Sequence, residues 1–313
     1  MSLVSFVIPC YRSERTITAV VEEIRQGMQS LSQYDYEIVL VNDCSPDNTL
    51  SVISSLAKAD EHITAVDLAK NFGQNAALMC GMSHSAGDIV ICLDDDGQTP
   101  AIEAAKLIEK LEEGYDVVYA SYDHKQHSDF RNFGTRLNNL MNEIMLGKPK
   151  ELSITSYFAM RRFIVEEMLN YPHCYPYVEG LILRSTRKIA TVPVTHRARE
   201  EGESGYTLAK LIGLWMNGFT SFSVKPLRLA SIFGAFTAAA GFVYAIIIVI
   251  NRFIRPDMLE GWSSSMALQL VLGGIILLVL GLIGEYLGRI YMCINASPQY
   301  VERSVIKKDN NNG

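Results

Sequence analysis

The sequence predicts an α/β domain built on a mostly parallel sheet, followed by two helices that cross a membrane. Three observations predict it. Short apolar runs alternate with helix-period segments as far as Ala120. Carboxylates, amides and glycines collect just after those runs. Two stretches near the C-terminus, Leu229–Ile250 and Gly261–Gly284, carry no charged residue. The runs are Val4–Ile8, Tyr36–Val41, Ile63–Val66, Asp88–Leu93 and Asp116–Ala120. They are rich in β-branched residues and nearly continuous, as strands covered on both faces must be. Helices are expected near 14–31, 47–59, 74–85 and 100–113. Ser45 or Asp47 is placed to cap the second, and Pro100 suits the first turn of the fourth. Strand–helix alternation of this kind gives a parallel sheet with helices on both faces, and ligands then bind beyond the carboxyl ends of the strands.

Beyond the alternating region the pattern changes. Phe130, Phe133, Leu137, Leu140, Met141, Ile144 and Met145 are interleaved with polar residues, and a second amphipathic segment runs from Tyr206 to Phe222. Core helices of a globular domain have the same pattern. For the second segment, which carries Lys210 and Trp215 beside a span, a place in the membrane interface is preferred. Each uncharged stretch reaches the roughly 20 residues that a helix needs to cross a hydrocarbon core. The expected organisation is a soluble domain over 1–205, a juxtamembrane segment over 206–226, a transmembrane hairpin over 227–292 and a tail over 293–313. Within that tail, Lys307 to Gly313 is expected to be disordered. Lys225 and Arg228 precede the first span, and Arg289, Arg303, Lys307 and Lys308 follow the second. Arg252 and Arg255 between the spans are offset by Asp257 and Glu260. The positive-inside rule then places both ends, and the soluble domain, on the cytoplasmic side of the membrane.

Composition narrows the function classes. The formal net charge of the 313 residues is -6, and no basic patch with interleaved aromatics stands out, which argues against nucleic acid. The six cysteines, Cys10, Cys44, Cys80, Cys92, Cys174 and Cys293, form no CxxC pair. In sequence they form no metal-ligand cluster either, and read as small apolar residues of a reducing compartment. Val4 to Pro9 reads as a buried strand, so no cleaved signal peptide is expected at the N-terminus.

The polar residues at the strand ends carry the chemistry. Pro9, Cys10 and Tyr11, with Glu14 beyond, follow the first run. Asn42-Asp43-Cys44-Ser45 follows the second, Lys70-Asn71-Phe72-Gly73 the third and Asp94-Asp95-Asp96-Gly97-Gln98 the fourth. Three adjacent carboxylates repel one another unless a cation is near. A hard divalent cation takes such oxygens and keeps room for phosphate. A solvated acidic turn is the plainer reading of such a triplet. The second acidic strand end, at Asp43, favours the metal. Asp43 itself suits either turn chemistry or a hydrogen bond to a nucleotide. Arg197 and Arg199, in the polar stretch His196–Tyr206, have the planar forks that bind phosphate, although Glu200, Glu201 and Glu203 nearly cancel their charge.

Taken in order, these motifs resemble the polyprenyl-phosphate glycosyltransferases of glycosyltransferase family 2, such as the dolichyl-phosphate mannose synthases and the bacterial undecaprenyl-phosphate enzymes. Val41-Asn42-Asp43-Cys44-Ser45-Pro46-Asp47 is similar to the family's V-D-D-G-S-x-D, with Asn42 and Cys44 as departures. Asn71-Phe72-Gly73-Gln74 is similar to its N-F/Y-G-[QK] turn, and Asp94 to Pro100 to its D-x-D-x-Q-x-P. Arg199 to Tyr206 fits R-x-x-G-x-S-x-Y, with Gly205 where many members have Lys. Leu282 to Tyr291 resembles the end of the bacterial group's second membrane helix. The resemblance implies a GT-A fold, an Mg or Mn ion, a nucleotide-sugar donor, with UDP favoured, and a polyprenyl phosphate acceptor.

It implies donor-side roles for Pro9, Tyr11, Glu14, Asp43, Asp94, Asp95, Gln98, Arg199 and Ser204. Asp94 and Asp96 are the expected catalytic pair, with Asp96 on the metal. Arg197, Arg199, Tyr206 and Arg289 are the expected acceptor and phosphate ligands. A homo-oligomer is left open. Where many members carry G-D-F-R, this chain has Thr155-Ser156-Tyr157-Phe158, without a carboxylate. A processive polysaccharide synthase is the runner-up, but Q-x-x-R-W is absent. A non-catalytic scaffold is a third reading, opposed by the intact Asp94-x-Asp96.

Overall fold

The computed structural model describes residues 1–122, 152–195, 225–254, 261–295 and 297–308. The chain divides into two units, Met1–Gly213 with Ala296–Gly313, and Leu214–Asn295.

The first unit begins β1 (Ser2–Cys10), α1 (Ile17–Gln29), β2 (Tyr34–Asn42), α2 (Thr49–Ala59), β3 (Ile63–Leu68), α3 (Gln74–Ser83) and β4 (Ile89–Cys92). A 3-10 turn over Ala101–Glu103 leads into α4 (Ala104–Glu112), then β5 (Val117–Tyr122). After residue 152 come β6 (Phe158–Arg161), α5 (Arg162–Leu169), α6 (Val178–Ser185) and β7 (Ile189–Val194). The strand order is β7-β5-β6-β4-β1-β2-β3-β8, where β8 is Glu302–Ile306. β1 pairs in parallel with β2 and β4, β2 with β3, and β5 with β7. Only β6 and β8 run antiparallel among the described strands.

Each of the five expected strands and four expected helices has a counterpart. The fourth helix is a 3-10 turn and then α4, because Pro100 fixes the entry and the first turn tightens there. The strands are buried as their composition demands: β4 is buried throughout, and so is β3 despite Asp67. Phe6, Ile8, Ile24, Ile38, Leu40 and Leu107 belong to one core cluster. At β3, Asn42 donates to Asp67 Oδ1 at 2.7 Å inside the sheet. An amide suits this site, since a second carboxylate would repel the buried Asp67. Ser45 or Asp47 was expected to cap the second helix, but the N-cap is Asn48, without a side-chain cap hydrogen bond, and Asp47, one residue earlier, accepts the Thr49 amide at 3.2 Å.

The order β4-β1-β2 makes β1 the strand from which the sheet is wound in both directions. Rules for open α/β sheets put the ligand crevice there. The ends of β1, β2 and β4 therefore define the rim to be inspected.

β8 was not expected from the sequence. It pairs with β3, and Arg303 reaches the Ala69 carbonyl at 2.9 Å and Asp67 at 3.5 Å. Its sequence, Glu-Arg-Ser-Val-Ile, is charged at the start and exposed over all but its last residue, and so lacks the apolar continuity that marks the other strands, as befits a strand at the edge.

The second unit contains two long helices, α7 (Lys225–Ile254) and α8 (Trp262–Ile294). Among the described residues, one segment, Val271–Ile294, is long and apolar enough to cross a membrane, and a shorter apolar segment, Gly234–Tyr244, lies in α7. The segments over 130–150 and 206–222 lie outside the described residues.

Candidate active site

The rim is tied together by hydrogen bonds that join residues far apart in sequence. Gly73, with φ of 89°, turns the chain into α3 in a conformation that favours glycine. This turn points the amides of Phe72 and Gly73 at Asp43, whose two carboxylate oxygens accept them at 2.7 and 2.8 Å. Asn71 donates to the Asp43 carbonyl at 3.2 Å. Asp43 is nearly buried, and burial raises its pKa against the lowering pull of those two amides. Cys44, where the family pattern has Gly, adopts a left-handed φ of 51°.

Asp94 extends from the end of β4. Its Oδ1 accepts Gln74 Nε2 at 2.8 Å, and its Oδ2 accepts the Ser156 hydroxyl. Asp96 Oδ1 accepts the Gln98 amide at 3.0 Å. Tyr122 stands within reach of their charge: burial, then Asp94 and Asp96, push its hydroxyl pKa up.

Asp95, in the bend that follows β4, takes a different direction. Its Oδ2 accepts the Tyr11 amide at 2.9 Å, and its carbonyl accepts the Thr16 hydroxyl at 2.6 Å. Burial raises its pKa to about 6, with Asp94 and Asp96 adding to the effect. Asp95 thus holds the β1–α1 loop. The sequence reading grouped it with the donor ligands, whereas the structure gives its carboxylate a partner within the fold.

Glu14 differs in the same way. Its Oε2 accepts the Asn48 amide at 2.9 Å, one of the orphan donors at the start of α2. Pro9 lies in β1, paired in register with Val41. Tyr11 is exposed, and the Arg12 guanidinium stands 5.6 Å from its ring centre. Arg12 donates its amide to Ser45 Oγ at 2.6 Å, joining the β1 and β2 ends.

Asp43, Asp94, Asp95, Asp96 and Gln98 therefore belong to one rim, and Tyr11 is joined to it through its amide. Arg197, Arg199, Ser204 and Tyr206 lie outside the described residues. Arg289 is in α8, in the other unit. Sequence reasoning gave no role to Ser156 or Tyr122, and it quoted Gln74 only as part of a turn motif. Ser156 carries no signal of its own, because its contact with Asp94 spans 62 residues.

The donor set fits a divalent cation. Asp94 and Asp96 offer hard carboxylate oxygens at one strand end, and their charge adds to burial, the larger cause, in raising the pKa of Asp95 and Tyr122.

Comparison with known proteins agrees with this geometry. The family described as Glycosyl transferase family 2 matches residues 5–169, and that described as GtrB C-terminal hairpin matches residues 225–290. A relative from Yersinia enterocolitica, named undecaprenyl-phosphate 4-deoxy-4-formamido-L-arabinose transferase, is 36% identical over 97% of this chain and 93% of its own length. Another of the same name from Proteus mirabilis is 34% identical over 99% of this chain and 96% of its own. Among solved structures, glucosyl-3-phosphoglycerate synthase from Mycobacterium tuberculosis is similar in fold. Its complex with Mn2+ and UDP-glucose aligns with a TM-score of 0.51 at 18% identity, over 70% of this chain and 77% of that one. Its complex with Mg2+ and UDP gives 0.51 at 19% identity, over 69% and 78%. With its GT-A-type sheet, its acidic strand end at β4 and these relatives over nearly its whole length, the chain belongs to glycosyl transferase family 2 and is a glycosyltransferase.

Proposed function

We propose that this glycosyltransferase transfers a sugar from a UDP-linked donor to undecaprenyl phosphate at the cytoplasmic face of a membrane, with inversion at the anomeric carbon. The observation that carries the reading is the Asp94 and Asp96 pair at the end of β4, with Asp94 held by Gln74 and Ser156. Relatives named for an undecaprenyl-phosphate substrate and matched over nearly full length support the acceptor. The UDP complexes of a protein of similar fold agree with the donor.

In this reading Asp94 and Asp96 hold an Mg2+ or Mn2+ ion. When bound, that ion offsets charge on the leaving diphosphate. Asp43 and Gln98 line the nucleotide side. Arg197, Arg199, Ser204 and Tyr206 serve the phosphates, and Arg289 the lipid phosphate. α7 and α8 form a membrane hairpin with both ends in the cytoplasm.

No protein general base is needed. A sugar hydroxyl must lose a proton as it attacks, whereas a phosphate monoester, with a second pKa of about 6, is already mostly the dianion near neutral pH. The enzyme's tasks are to steer that anion, align it behind the anomeric carbon and stabilise the departing diphosphate. Ser156, uncharged, is compatible with an anionic acceptor where a carboxylate would repel it.

The test is radiolabelled donor added to membranes with and without undecaprenyl phosphate. The panel is UDP-glucose, UDP-GlcNAc, UDP-galactose, GDP-mannose and UDP-4-amino or 4-formamido sugars. One UDP-sugar should label a lipid only when the acceptor is present, in the anomeric configuration opposite to the donor's. A water-insoluble polymer, a retained configuration or no product with any donor overturns the proposal.

A further inference from the structure

Cys80, His84 and Glu302 come together where α3 meets the edge strand β8. Cys80 and His84 are one turn apart on the α3 face that ends at His84, and Glu302 opens β8. Cys80 Sγ lies 3.7 Å from Glu302 Oε1, and His84 Nε2 lies 3.0 Å from the same oxygen. One ligand atom from each of the three residues falls within 4.8 Å of the other two. The cysteines as read from sequence form no metal-ligand cluster. Folding makes one, because Glu302 is brought beside α3 from 222 residues away.

We propose that these three residues bind a borderline-soft divalent cation of the zinc class, which clips β8 to α3. The spacing is that of such a site. Zinc takes thiolate sulfur at about 2.3 Å, imidazole nitrogen at about 2.0–2.1 Å and carboxylate oxygen at about 2.0–2.2 Å in a tetrahedron, which separates sulfur from oxygen by about 3.6 Å and nitrogen from oxygen by about 3.4 Å. The observed 3.7 and 3.0 Å need only a small adjustment to match. The chemistry of the set is selective as well. A thiolate and an imidazole favour zinc over the hard cations that carboxylates alone would hold. Cys80 is buried while His84 and Glu302 are partly exposed, so the ion can enter from solvent and keep a water as its fourth ligand.

Binding breaks the Cys80 S–H bond, forms the sulfur–metal bond and releases the proton to solvent; nothing is oxidised or reduced. The consequence falls on the segment that follows α8. β8 is held at present by its ladder with β3, by Arg303 and by a hydrogen bond of 3.1 Å from Tyr300 to Ser83. A metal bridge replaces the hydrogen bonds that Glu302 makes to His84 and Cys80 with a coordinated link between β8 and α3.

The test uses the full chain in detergent, stripped with a chelator and then kept in excess Mg2+ so that hard oxygen sites are filled. Co2+ is titrated in while the sulfur-to-cobalt charge-transfer absorption is followed, and Zn2+ is then added in competition. About one Co2+ per chain should bind with a thiolate band that Zn2+ removes. Cys80→Ser should abolish the band, and His84→Gln and Glu302→Gln should each weaken binding by at least about tenfold. Zn2+ should also slow hydrogen exchange over residues 302–306 in the wild-type protein and leave Cys80→Ser unchanged. Absence of a thiolate band in the wild-type protein overturns the site, leaving His84 and Glu302 as a hydrogen-bonded pair alone. So does a band that persists in Cys80→Ser, or binding undiminished in both other variants.

Discussion

Ser156→Ala separates two ideas about the missing acceptor-side carboxylate. In the structure the Asp94 carboxylate accepts two side-chain hydrogen bonds, from Gln74 at 2.8 Å and from Ser156. A hydrogen bond to a charged group contributes about 1.5–3 kcal/mol net. The alanine variant keeps Gln74, and Asp94 is only partly buried, so water can replace the lost hydroxyl. The low end of that range, about 1.5 kcal/mol, applies, which is roughly a tenfold loss in kcat/KM for the donor. The assay is steady-state kinetics with varied donor at saturating undecaprenyl phosphate, repeated from neutral to alkaline pH. The loss should be the same at every pH, because Ser156 positions Asp94 and moves no proton. Ser156→Asp should be worse than alanine, since it sets a second carboxylate against Asp94. A loss of about 10³ or more in Ser156→Ala, in the range of general-base contributions, would refute the positioning role. So would a Ser156→Asp enzyme faster than wild type, or an alanine variant with no loss at all.

Asp96→Ala should lower kcat by about two to four decades, as the loss of a charge-stabilising group does. Asp95→Asn, which keeps an acceptor for the Tyr11 amide, should retain most activity; equal losses at 95 and 96 would rule out this division of roles. Arg289→Ala should raise the apparent KM for lipid phosphate without lowering protein level, whereas an unchanged KM leaves Arg289 as a partner for Glu285 one turn earlier. Residues 257–263 should resist cysteine labelling from the cytoplasmic side of sealed vesicles if both chain ends are cytoplasmic. Acid should expose the Asp60 cluster. Burial raises that carboxyl, but the His62 amide and imidazole at 3.0 and 2.9 Å and Arg25 at 2.6 Å overcome it and hold the pKa at about 2. Relative to an unfolded value of about 3.9 this contributes about 2 kcal/mol of stability, present above pH ~4 and lost as pH falls towards ~2. Asp60→Asn should lower the neutral-pH unfolding free energy by that amount and flatten its acid limb. Parallel acid limbs in wild type and variant would contradict it.

The strands β1 to β5 were legible because each is covered on both faces and so spells a continuous apolar run. β8 was not, since an edge strand such as Glu302–Ile306 buries little and its pattern matches any polar tail. The candidate site was legible where the signal is local. Asp94-x-Asp96 and the Asn71–Gln74 turn are contiguous, and both lie on the rim. Partnerships across the fold were not. Nothing in the sequence says that Glu14 accepts the Asn48 amide, that Asp95 turns to Tyr11, or that Ser156 reaches Asp94. Those contacts depend on which strand ends the topology sets side by side, and carboxylates near a rim look alike until their hydrogen bonds are counted.

The place of β8 has a consequence for synthesis. β3 pairs on one side with β2, and among the described residues its other edge pairs with β8, which leaves the ribosome after α8. Arg303 and the Ala69 carbonyl it reaches are 234 residues apart. Until that tail emerges, this edge of β3 lacks its β8 partner, and an unpaired ladder is the kind of edge that recruits other strands. A nascent chain arrested before residue 302 should therefore aggregate or recruit chaperones more readily than one released whole, so the catalytic sheet is finished only once both long helices have been made.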